Sequence, residues 1–147
     1  MTARLARRRG AAPATPSVAP MVERDCLALA LENAVEGCVR ETYGAAVAMW
    51  QAEHARARDV RAVMVRIADD EVRHADLGWR VAAWVSEKLD GSARAAVREA
   101  GRAAVRELWA NVANADDDEL GLPGPDAARR ILSQLALELW DPAFAPA

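Results

Sequence analysis

Apolar and small residues recur at helical spacing along most of this chain, and nowhere do β-branched or aromatic residues alternate with polar ones over a strand's length, so the pattern predicts an all-α protein. The first long helix is expected over residues 22–56, which contain no proline, with a buried stripe through Ala34, Cys38, Glu41, Ala45, Ala48, Met49 and Ala52 and with Gly37 and Gly44 beside it. A polar break at residues 55–59, where Asp59 is positioned to cap, precedes a second helix over 60–89. Counted from Glu71, its inward face holds Val60, Met64, Ile67, Ala68, Ala75, Gly78, Val81, Ala82 and Val85. So short a connection makes the two helices an antiparallel hairpin, 22–89.

Asp90-Gly91-Ser92 marks the next boundary, with Gly91 read as a C-cap residue and Ser92 as an N-cap. Two further helices are expected within 92–140. One covers about 93–113 and is apolar at Val97, Val105, Leu108, Trp109 and Val112. The other is introduced by Pro123-Gly124-Pro125-Asp126 and carries Ile131, Leu132, Leu135, Leu137, Leu139 and Trp140 for docking on the bundle. The acidic loop at residues 116–119 lacks the spaced ligands and turn glycine of a calcium loop.

Composition narrows the picture. The chain has 147 residues, a length suited to one domain, and its 52% hydrophobic content is enough for a core. A formal charge of −3 makes nucleic-acid binding by the folded part unexpected. Residues 1–20 combine Arg4, Arg7, Arg8 and Arg9 with Pro13, Pro16 and Pro20, and so are expected to form a disordered basic tail ahead of a helical domain over 21–147. No stretch approaches the length of a membrane span, so no membrane association is expected. Cys26 and Cys38 stand about three turns apart on one helix, too far to join, which points to a reducing, cytoplasmic setting. Arg94, Arg98, Arg102 and Arg106 form a stripe at i+4 spacing, read as a solvated face with Glu99 and Glu107 beside it.

Candidate chemistry concentrates at Glu71 and His74. Residues three apart leave a helix on one face, and here that face is otherwise apolar. A carboxylate aimed at a core has to be paired, hydrogen-bonded or metal-bound, because desolvating it alone costs several kcal/mol. On the first helix Glu41 is the acid among small residues, whereas Glu32, Glu36 and Arg40 form a solvated i, i+4, i+8 row. Glu36 is the fallback if the helical phase is displaced. Glu41 stands about as far before the turn as Glu71 and His74 stand after it, so the three are expected at one level. Glu53 and His54, being adjacent, splay apart and are read as a solvated turn.

The segments ENAVEGCVRET at 32–42 and IADDEVRHA at 67–75, followed by Leu77-Gly78-Trp79, resemble the second half of the ferritin-like, rubrerythrin-type di-iron carboxylate proteins. In that family two halves, each giving one Glu and one Glu-x-x-His, build a four-helix bundle around two metals. The resemblance implies a ferritin-like hairpin, iron or manganese as cofactor, Glu41, Glu71 and His74 as ligands, and Asp70 as an acceptor orienting a histidine across the site. It also implies iron oxidation with oxygen or peroxide, or oxidoreductase chemistry. This chain carries a single set, so the resemblance further implies a homodimer or a partner protein bearing the complementary half. The competing expectation is a metal-free helical interaction module.

Overall fold

The computed structural model describes residues 2–12, 14–18, 20, 23–112 and 119–145. It begins with a short helix, α1 (Thr2–Arg8), inside the segment expected to be disordered. Ala3, Leu5 and Ala6 between arginines are strong helix formers, and Gly10, at φ 80°, turns the chain afterwards. Arg9 then reaches Asp59 at 2.9 Å and Glu119 at 3.2 Å. Composition conceals such acidic partners because they lie far away in sequence.

Asp25 caps α2 (Cys26–Val35) by accepting a bond from the Ala28 N–H at 2.7 Å. The helix therefore starts later than expected, and Val22 lies outside the described residues. A π turn (Glu36–Arg40) joins α2 to α3 (Glu41–His54) without a break. After residues 55–57 comes α4 (Arg58–Ser86). Asp59 does not cap it, because its carboxylate is held by Arg9 and by the N–H of its neighbour Val60. α5 (Gly91–Ala110) is capped by Asp90, which accepts from the Ala93 N–H and the Ser92 hydroxyl, both at 2.8 Å. Ser92 and Gly91 thus lie inside α5, two residues displaced from the expected boundary. These bonds, the one from Ala93 first, hold the Asp90 carboxyl below its ordinary range. The last helix runs as α6 (Pro125–Leu135), a second π turn (Ala136–Trp140) and α7 (Asp141–Ala143). Of the expected acidic loop only Glu119 is described.

All regular structure among the described residues is helical, and no helix there is long and apolar enough to cross a membrane. α3 and α4 pack along each other as the expected antiparallel hairpin. The π turn and α4 meet backbone to backbone at two glycines. A Cβ on Gly78 would lie 2.7 Å from the Gly37 carbonyl, a distance that only the bare backbone permits. Asn33 and the Cys38 thiol both donate to the Gly78 carbonyl, which ties α2 and the π turn to the middle of α4.

The main core forms where the C-terminal helix crosses this region. Leu132, Trp140 and Phe144 pack on Cys38, Val39 and Ala104, and the Trp140 indole N–H donates to the Cys38 carbonyl at 3.0 Å. Gly101 leaves room for the Phe144 ring, which a Cβ there would meet at 2.5 Å. Docking of the last helix was expected, but Leu137 and Leu139 stay exposed. The π turn widens the helix at that point and brings Trp140 inward instead. Ala30, Val85 and Leu89 form a second, smaller cluster between α2 and the end of α4.

Candidate metal centre

The hairpin brings Glu41, Glu71 and His74 together. Each offers one ligand atom, and these atoms all lie within 4.8 Å of one another. Glu41 is the first residue of α3, immediately after the π turn, whose backbone bond runs from the Glu41 N–H to the Glu36 carbonyl. One extra residue in a turn rotates everything beyond it by roughly 100°. It thereby resets the phase of α3, and with it Glu41, relative to α2. Glu36 points away and pairs with Arg40 at 2.6 Å, and Arg40 also reaches Glu107 at 3.1 Å. The fallback position is therefore outside the cluster.

On α4, the His74 Nδ1 lies 3.4 Å from Glu71 Oε2, the contact expected for residues one turn apart. Among the described residues no Arg or Lys forms an ion pair with Glu41 or Glu71. The two carboxylates face each other instead. Partial burial first, then the hydrogen bond and charge of Glu71, push the Glu41 carboxyl above its ordinary range, opposed by His74. Two carboxylates and an imidazole with ligand atoms within 4.8 Å of one another, and with no Arg or Lys paired to the carboxylates among the described residues, make a donor set that a divalent metal fits in charge and ligand type.

The cluster does not face a closed core. The His74 side chain is 60% exposed and that of Glu71 31%, so nothing among the described residues closes over this side of the hairpin. Sequence spacing predicted the inward direction and could not show that the inward side is an open rim. The Asp70 carboxylate is exposed and pairs with Arg73, one turn along the same helix. Glu53 and His54 behave as expected for a solvated turn, with the His54 ring stacked on Trp50 at 3.7 Å.

The sequence reading missed the supports. Trp79 donates from its indole N–H to Thr42 at 3.1 Å, one residue after Glu41, and so links the two ligand-bearing helices. The Cys38 thiol is pushed up to about 11 by burial, with Asn33 opposing, and remains protonated as a donor. Thr42 and Trp79 have no motif spacing between them. Only three-dimensional proximity reveals the pair. No protein-family model, curated protein or solved structure matches the chain.

Proposed function

We propose that this chain is a ferritin-like metal-carboxylate protein in which Glu41, Glu71 and His74 form half of a di-iron or di-manganese site completed by a second chain. The observation that carries the reading is the convergence of two carboxylates and an imidazole on the open side of a helical hairpin, with no Arg or Lys paired to the carboxylates among the described residues. Three protein ligands do not satisfy two metals, and a two-fold symmetric pair doubles the set. The flanking surface supports a helical neighbour. His74, Leu77, Val81 and Trp84 follow one side of α4 at the three- and four-residue steps of a helix-packing seam, with Ile67 two turns before His74, and Leu77 and Trp84 are 57% and 50% exposed.

A bound metal pair would supply the oxygen or peroxide chemistry, with iron itself or another reductant as the electron source. The chain's own residues hold the ligand atoms in register. The Gly37–Gly78 contact fixes the separation of the helices, and the Trp79–Thr42 bond keeps them from sliding beside Glu41. Free thiols at Cys26 and Cys38 go with a cytoplasmic setting. The same seam also favours a second reading, in which the hairpin completes the site of a different protein or serves as a metal-free interaction module.

Thermal melting with Mn(II) tests the proposal. The wild-type midpoint should rise with metal and with protein concentration. Glu71→Ala and His74→Ala should each remove the rise, and Glu53→Ala should keep it. Equal melting of all four proteins with and without metal would leave the metal-free module.

A further inference from the structure

A second feature lies away from the carboxylate cluster. Between α2, α4, α5 and the C-terminal turn is a cavity of about 230 Å³. Its walls are mostly apolar, formed by Ala34, Trp79, Ala82, Val85, Val97 and Phe144, and among the described residues no Asp or Glu lines it. An apolar cavity of roughly 150 Å³ holds benzene, so this one has room for a larger apolar body. Two arginines of α5 line the same cavity. Arg94 is already used, donating to the carbonyls of Leu89 at 2.7 Å and Ser86 at 3.2 Å. Arg98 is half-buried and has no ion pair or hydrogen bond among the described residues. Its neighbours along the stripe differ, since Arg102 and Arg106 both engage Glu99.

A guanidinium presents donors in a planar fork that matches a carboxylate, and beside a low-dielectric wall such a pair is stronger than in water. The lining also excludes other ligands. With no acid present a cationic head finds no partner, and a purely apolar ligand leaves Arg98 partly desolvated and unpaired. We propose that this cavity binds a small amphipathic monocarboxylate, its apolar body between Trp79, Val85 and Phe144 and its carboxylate on Arg98. The proposal is independent of the metal reading.

Isothermal titration of the full chain with octanoate and with octanamide tests it, the two probes sharing a tail and differing in charge. Octanoate should bind at least about tenfold more tightly, which is about 1.4 kcal/mol. Arg98→Gln should erase that preference. Ala82→Leu should weaken both ligands by filling the cavity, and Val97→Phe offers the same test from the opposite wall should the first variant fold poorly. Glu71→Ala, which is off the cavity wall, should leave octanoate binding unchanged. Absence of octanoate binding at millimolar concentration, equal affinity for acid and amide, or an undiminished preference in a folded Arg98→Gln protein would overturn the assignment.

Discussion

Adding one methyl group at Gly78 is the sharpest perturbation of the hairpin. The Cβ of Gly78→Ala would sit 2.7 Å from both the carbonyl carbon and oxygen of Gly37 and 2.8 Å from its Cα, whereas ordinary contact begins at 3.4 Å. The obstacle is backbone, so no side-chain rotation relieves it, and the helices must part by about 0.7 Å, the shortfall between those distances. Overpacking of this kind costs roughly 1–3 kcal/mol, against a gain of about 0.5–1 kcal/mol for alanine over glycine inside a helix. The middle of both ranges leaves a net loss of about 1.3 kcal/mol. At about 3 °C per kcal/mol for a chain of this size, the midpoint should fall by roughly 4 °C. Because Gly78 is one turn beyond His74, the same displacement spreads the Glu41, Glu71 and His74 ligand atoms, and the metal-induced rise should shrink as well. Gly44→Ala supplies the control. Nothing lies within 4 Å of its Cβ, so it should be neutral or stabilise by up to about 1 kcal/mol. Differential scanning calorimetry of both variants decides the matter, and a Gly78→Ala protein as stable as Gly44→Ala would refute the close-approach argument.

Leu132 is fully buried in the main core, so Leu132→Ala should cost about 2–5 kcal/mol, read as a lowered urea midpoint with an unchanged slope. The two thiols should differ in reactivity. Cys26 is exposed and should react with a disulfide reagent within minutes at neutral pH, whereas buried Cys38, pushed up to about 11, should react only when the chain unfolds. Asp59 is held below its ordinary 3.8 chiefly by its hydrogen bond to Arg9. Its stabilising effect should be present above pH 3.8 and disappear as the pH falls through the lower folded value, so Asp59→Asn should lower the midpoint at pH 7 and leave it unchanged in strong acid.

Helical periodicity made the hairpin legible, because Ala34, Cys38, Ala45, Ala48, Val60, Ala68, Ala75, Gly78 and Val85 fall on the faces that the structure buries or half-buries. Equal distances from the turn likewise placed Glu41 beside Glu71 and His74. What escaped depends on contacts between distant residues. The helix at Thr2–Arg8 has ordinary helix-forming residues, but its anchorage is Arg9 on Asp59 and Glu119. Neither π turn has a recognisable sequence signature, yet one orients Glu41 and the other brings Trp140 to the Cys38 carbonyl. The exposure of His74 was invisible for a different reason. A helical pattern shows which residues share a face, but not whether the same chain covers that face.

The central claim is a metal site shared between two chains, and anaerobic titration with Fe(II), followed by sedimentation equilibrium and metal analysis of the same samples, tests it most directly. At saturation the chain should convert to a dimer of twice its 15.8 kDa mass, with about two metals per dimer, and Glu71→Ala should lose both changes. A chain that keeps its monomer mass and binds no metal at saturating Fe(II) would contradict it.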